Sequence, residues 1–247
     1  MLCISPVNDK QLPTSRATNV GSALCTDLLQ SILGIRYYKN LVMEPDSLNC
    51  PQCGNELPLA FRFTKLIVCE QCDSTIFLED DGARLAGTQS TLADLPSLIQ
   101  LKTPFSYDNT SYLPVGHIRY SYDHGFWDEW WLLDNSGEGK WMSVDEGDFA
   151  FELPHKLQGS IPRLNQLHLD QTLRIMGKDW KVTELGRAIC EGFRGELPEV
   201  IEIGEQFDYV HLSAKDAALM TLEYISPHQI NAYLGKWVDP FEIRADS

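Results

Sequence analysis

Two cysteine pairs constrain this chain more than any other feature. Cys50-Pro51-Gln52-Cys53 and Cys69-Glu70-Gln71-Cys72 share one spacing, with fifteen residues between them. A tetrahedral ion held at about 2.3 Å from four thiolates needs two such tight turns facing each other. Pro51 suits the start of the first turn, because its fixed φ favours turn geometry. Gly54 follows the second cysteine and can take the positive φ that closes a knuckle. Asp73 holds the equivalent place in the second pair and tolerates that conformation better than most residues. The alternative, redox-active C-x-x-C pairs, opens helices in βαβ units. Here the flanking stretches Leu59–Phe63, Leu66–Val68 and Thr75–Leu78 read as short strands. The spacing predicts a rubredoxin-like zinc ribbon over 48–82, with Cys50, Cys53, Cys69 and Cys72 as ligands of one structural Zn2+. Four thiolates leave no open position for a catalytic water.

The remaining cysteines, Cys3, Cys25 and Cys190, are single. An odd total of seven, with no secretory signal, argues against a disulfide framework and for the cytoplasm. Apolar runs such as Trp130–Leu133 are too short to span a bilayer, so no direct membrane insertion is expected. The net charge of −15 is spread along the chain without a basic patch. Nucleic-acid affinity comes from Lys and Arg neutralising phosphates, so that partner class is disfavoured.

The rest divides into three further blocks. Residues 1–47 read as a polar arm and one helix. In the helix, Leu24, Leu28, Leu29, Ile32 and Leu33 recur at helical spacing and Gly34 stands at the stop. From Leu98 onward the pattern turns to β, with strands expected at Leu98–Lys102, Tyr112–Tyr122, Trp127–Leu133, Lys140–Val144 and Phe149–Glu152. A first β domain is expected over 97–155 and a second over 161–247. The two look related: 101–112 aligns with 169–180, and 141–145 with 219–223, if Arg194–Pro198 is an insertion. Ser226–Tyr233 reads as a short capped helix. The fold class is thus mainly β: a ribbon, then two related small antiparallel barrels or sandwiches with cores of their own, plus one N-terminal helix.

Candidate sites outside the ribbon centre on Trp127-Asp128-Glu129-Trp130-Trp131. Alternation along a strand places Glu129 with Trp127 and Trp131 on one face, and Asp128 with Trp130 on the other. The aromatic cluster is either an internal interface or a partner-binding patch. Asp128 and Glu129 point apart and so do not form a working acid–base pair; pairing with Arg119 across the hairpin is the structural alternative. No nucleophile elbow, phosphate loop or dinucleotide fingerprint is present. His117 and His124 flank one hairpin without ligand spacing.

Several segments together carry a resemblance. After the Cys-Pro-x-Cys-Gly knuckle come Tyr112 to Gly116, Trp127-Asp128-Glu129-Trp130, Gly139-Lys140-Trp141-Met142-Ser143 and Glu146-Gly147-Asp148-Phe149. Gly177–Val182 and Gly195-Glu196-Leu197-Pro198 follow. Over about 48–245 the chain resembles a bacterial family of zinc-ribbon proteins with a duplicated β-rich domain of unknown function. Their genes lie near those of phage-shock-protein-A-like and polyamine-synthase-like proteins. The resemblance implies a partner of one of those kinds and a role near membrane stress or polyamine metabolism. The function expected is a non-enzymatic adaptor for a protein partner. One alternative is an accessory protein holding a polyamine or other cation on acidic and aromatic groups. The other is nucleic-acid binding through Arg62, Lys65 and Arg84 of the ribbon.

Overall fold

The computed structural model describes residues 48–79, 82–93, 95–123, 125–157, 161–226 and 229–245. The arm and the helix expected over 22–33 lie outside the described residues, as does His124. The described chain is mainly β. Five strands belong to the cysteine-rich region: β1 (Leu48–Asn49), β2 (Glu56–Leu57), β3 (Leu66–Val68), β4 (Ser74–Glu79) and β5 (Gly82–Gln89).

Two runs of strands follow, with the same order of elements. The first is β6 (Phe105–Tyr107), β7 (Thr110–Tyr122), β8 (Gly125–Asp134), β9 (Gly139–Asp145) and β10 (Asp148–Pro154). The second is β11 (Thr172–Ile175), β12 (Lys178–Leu197), β13 (Gln206–Ser213), β14 (Ala218–Ser226) and β15 (Gln229–Val238), before a terminal β16 (Arg244–Ala245). Each run opens with a two-residue hairpin whose central residues both have positive φ: Asp108 (47°) and Asn109 (58°), then Met176 (51°) and Gly177 (74°). That geometry matches the twist of the strands it joins.

The two runs do not make two domains. Strands pair in the order β7-β8-β9-β10-β15-β14-β13-β12, and β12 returns to β7. One eight-stranded antiparallel barrel results, four strands from each block, replacing the two small barrels expected from sequence. Closure explains the difference: each four-strand meander alone has two unpaired edges, and each edge is satisfied by the other meander. β10 pairs with β15 from Phe149↔Val238 to Pro154↔Tyr233, and β7 with β12 from Ser121↔Ile189 to Gly116↔Gly195. Of the helix expected at Ser226–Tyr233, Ser226 instead ends β14 and the residues from Gln229 on begin β15, while Pro227 and His228 lie outside the described residues. Tyr233 lines the lumen cavity and the Asn231 amide donates to Glu223 there at 3.4 Å, while Ile230 and Ala232 pack in the outer layer, a period of two.

Both faces of the barrel wall are covered, which is why so many of its strands are apolar on both sides. Outside the first half, Ile99, Phe105 and Val238 pack on Trp130, Leu132 and Met142. The segment Leu98–Lys102, expected as a strand, is a loop in this layer that buries Ile99. Outside the second half, Leu173, Leu157 and Ile161 pack on Val210, Leu212 and Leu222.

The ribbon is joined to the barrel through the overhang of β12, the segment that reads as an insertion. Leu197 and Glu196 pair with Leu66 and Ile67 of β3. Ribbon side chains Phe61, Leu66, Val68 and Phe77 share one core with Val115, Ile118, Trp131, Phe193 and Leu197 of the barrel. Each such burial is worth about 1.5–3 kcal/mol. The expectation of separate cores is therefore replaced by a shared one. Gly116 and Gly195 allow the joint: a Cβ on Gly116 would overlap the carbonyl oxygen of Glu196, and one on Gly195 that of Val115.

Candidate functional site

Two places concentrate reactive or ionisable side chains: the cysteine cluster and the barrel lumen. In the cluster, β1 and β2 form the legs of the first knuckle. The Gly54 amide donates to the Cys50 carbonyl at 2.8 Å, and Asp73 does the same to Cys69 at 2.8 Å. Gly54 has φ +76° and Asp73 has φ +55°, so both turns close through the left-handed region. Cys50 Sγ lies 3.8 Å from Cys72 Sγ, and Cys53 Sγ lies 3.7 Å from Cys69 Sγ; all four sulfurs fall within 4.8 Å of one another. A regular tetrahedron with metal–sulfur bonds of about 2.3 Å has edges of about 3.8 Å. The donor set and its spacing therefore fit a four-coordinate metal ion and are compatible with a zinc ribbon. The Ser74 hydroxyl, 3.3 Å from Cys72 Sγ, holds that thiol down to about 6, whereas burial pushes Cys69 up to about 12. An ion binding here displaces protons.

The loop before β3 is shaped by the barrel. Leu59–Phe63, expected as a strand, instead wraps a buried carboxylate. Glu196 accepts from the amides of Ala60 (2.8 Å) and Phe61 (3.0 Å) and lies 2.8 Å from Thr64 Oγ1. The amide of Lys65 donates to the Leu197 carbonyl at 2.9 Å. The Gly-Glu-Leu-Pro segment is thus a clamp between barrel and cysteine-rich region.

Among the described residues, four glutamates gather at one cavity of the lumen. Glu129 (β8), Glu152 (β10), Glu223 (β14) and Glu199, which follows β12, line one cavity with Tyr120, Trp141, Thr221 and Tyr233. No Lys, Arg or His is among the described residues lining it. Its volume is about 30 Å³, room for a water or two rather than a metabolite. Glu152 accepts from Thr221 Oγ1 at 2.6 Å, and Ser143 Oγ lies 2.8 Å from Glu152 and 3.0 Å from Glu129. Burial, then the Glu152 charge, pushes Glu129 well above the usual carboxylate range. Burial, then Glu199, pushes Glu223 up to about 8. Glu199 and Tyr233 also line an outer groove of about 820 Å³ with His155, Lys156 and Ile161, so the carboxylate cluster reaches the barrel wall.

The five residues of the aromatic segment are divided between interior layers, with none forming an exposed patch. Trp127, Glu129 and Trp131 face inward: Trp127 meets Tyr209 edge-on at 5.1 Å, and Trp131 packs on Trp141 at 4.9 Å. Asp128 and Trp130 face the outer layer. Asp128 forms a bidentate pair with Arg119 at 2.8 and 3.0 Å, and Trp130 stacks on His117 at 4.0 Å. His117 Nε2 lies 2.8 Å from Asp128 Oδ1. Burial pushes Asp128 up, but His117 and Arg119 outweigh it and hold the carboxyl below its usual range; burial lowers His117. Sequence reasoning singled out Glu129 but missed Glu152, Glu199, Glu223 and the clamp of Glu196. The available signal was a lone carboxylate within an apolar strand, as in Leu219–Ile225.

Residues 100–240 match the model of a family described as a domain of unknown function (DUF4178). No curated protein and no solved structure matches the chain. Among the described residues, no helix is long and apolar enough to cross a membrane.

Proposed function

This chain belongs to the DUF4178 family, and from that premise we propose that it is a non-enzymatic zinc-ribbon adaptor that presents its ribbon loop to a protein partner. The observation that carries the reading is the clamp of Glu196. It fixes the loop on a barrel that shares its core, yet leaves Phe63 outside. Phe63 is 58% exposed, in edge contact with Phe61 and beneath the Arg62 guanidinium at 4.2 Å. An aromatic with an arginine on a rigid support is the composition of an interface anchor. Zinc is the ion we assign to Cys50, Cys53, Cys69 and Cys72: four thiolates suit its tetrahedral preference and make the site structural. We read the two runs of strands as copies of one ancestral half-barrel, and the partner as phage-shock-protein-A-like or polyamine-enzyme-like, in keeping with the resemblance. Affinity purification from the native host, with mass spectrometry and metal analysis, tests this. A stoichiometric partner and one zinc per chain, the partner lost on Phe63→Ser, supports the adaptor. Recovery of the protein alone under gentle lysis counts against it.

A second reading is favoured by the lumen. Four carboxyls without a basic residue among the described lining suit the ammonium end of a cationic ligand entering from the Glu199 side. Calorimetry with spermidine at physiological salt, in two buffers of different ionisation enthalpy, is the check. Saturable heat with proton release supports it, and no saturable heat ends it.

A further inference from the structure

The lumen carries a second consequence, independent of any ligand, that follows from counting protons. Ser143 Oγ stands between two carboxyl groups, 3.0 Å from Glu129 Oε1 and 2.8 Å from Glu152 Oε2. A hydroxyl has one proton to donate. If both carboxyls were ionised, one of these contacts would set a lone pair against a carboxylate oxygen in an enclosed space. Both contacts are satisfied only when one carboxyl carries a proton and donates it to Ser143, while Ser143 donates to the other.

The neighbouring groups decide which. Glu152 has a second hydroxyl donor on its other oxygen, Thr221 Oγ1 at 2.6 Å, so both its oxygens accept, as a carboxylate requires. Glu129 has the Trp127 indole N–H at 3.1 Å, but on the oxygen that already faces Ser143. The groups facing Glu129 include Tyr120 from β7, Trp141 and Ser143 from β9, Glu152 from β10, Thr221 and Glu223 from β14, Tyr233 from β15 and Glu199 after β12. None of them is a cation, and three are acids.

We propose that Glu129 holds a proton at neutral pH and passes a hydrogen bond through Ser143 to an ionised Glu152, making the lumen a proton-storing site whose discharge at alkaline pH charges the barrel interior. The strong upward displacement of Glu129 by burial agrees with this order. When the proton leaves, it goes to solvent, and the Ser143 bridge loses its second donor. The two carboxylates then repel across one hydroxyl within an enclosed barrel.

The test uses the full chain labelled with 13Cδ-glutamate, with the Glu129 signal assigned as the one missing from Glu129→Gln. That resonance is expected to stay in its protonated position through pH 7 and to shift only above it. Titration in the ordinary carboxylate range, below about pH 5, overturns the proposal. The paired variants give a second reading. In Glu129→Gln the amide N–H can still donate to Ser143, although its nitrogen no longer accepts from the Trp127 indole, so this variant should keep a higher urea midpoint at pH 8 than Glu152→Gln. Gln at 152 turns an amide N–H toward a hydroxyl donor, so Glu152→Gln should lower the midpoint. Equal losses in both variants would show that the proton has no preferred owner. If Glu152→Gln fails to fold, the titration of wild type against Glu129→Gln still decides the matter.

Discussion

Replacing Glu196 by alanine removes the group that clamps the ribbon loop to the barrel. The carboxylate accepts from two backbone amides, Ala60 at 2.8 Å and Phe61 at 3.0 Å, the second fully buried. Thr64 Oγ1 sits between Glu196 (2.8 Å) and the Phe61 carbonyl (2.7 Å), so its single proton serves one of them at a time and survives the loss. Two amide donors are therefore left without a partner. Hydrogen bonds to a charged acceptor are worth about 1.5–3 kcal/mol each, and stranding a buried donor costs about 1–3. Against this stands relief from burying a charge, a burial already evident in the upward shift of the Glu196 carboxyl. The net expectation is a loss of about 3–4 kcal/mol, a large share of the ~5–15 kcal/mol a domain possesses. Urea unfolding of the zinc-loaded protein, followed by far-ultraviolet circular dichroism and tryptophan fluorescence, measures it. Trp131 reports directly, because it packs against Phe61 at 5.5 Å. A midpoint shift equivalent to less than about 1 kcal/mol with unchanged slope would mean that the loop holds its shape without the clamp, and the reasoning fails.

Three further outcomes follow from the same geometry. Chelation, or Cys53→Ser, should unfold ribbon and barrel in one transition rather than two, because Phe61, Leu66, Val68 and Phe77 belong to the barrel core; two resolved transitions in a thermal scan would contradict this. Gly116→Ala should cost about 3 kcal/mol or more, or abolish soluble expression, since its Cβ overlaps the backbone of Glu196; a urea midpoint near wild type would refute the close approach. Glu223, raised to about 8, is protonated more readily in the folded than in the unfolded chain. Its stabilising contribution is complete below about pH 4 and is lost as pH rises toward 8, by up to about 1.4 kcal/mol per unit. Glu223→Gln should therefore flatten the decline of stability between pH 5 and 8, and an unchanged pH profile would remove that residue as its cause.

What could be read from the sequence was what is local along it. The cysteine knuckles depend on turns of a few residues, so spacing, Gly54 and Asp73 sufficed to place four sulfurs together. That one carboxylate of Asp128 and Glu129 could reach Arg119 across the hairpin was also legible, but that it is Asp128 came from the structure. The strands β7 to β10 announced themselves by period and turn residues. The number of domains did not. Whether two meanders form two small folds or one barrel depends on which edges meet, and β7 meets β12 from some seventy residues away. A Glu in strand 148–154 and another in 218–226 carry no mark of facing each other; only barrel closure brings Glu129, Glu152 and Glu223 around one cavity. The ribbon's attachment was equally hidden, because Arg194–Pro198 reads as an insertion until β12 extends beyond the barrel and Glu196 meets the loop. Local turn chemistry determined the cysteine cluster, while long-range edge pairing alone decided the barrel, its acidic lumen and the joint between them.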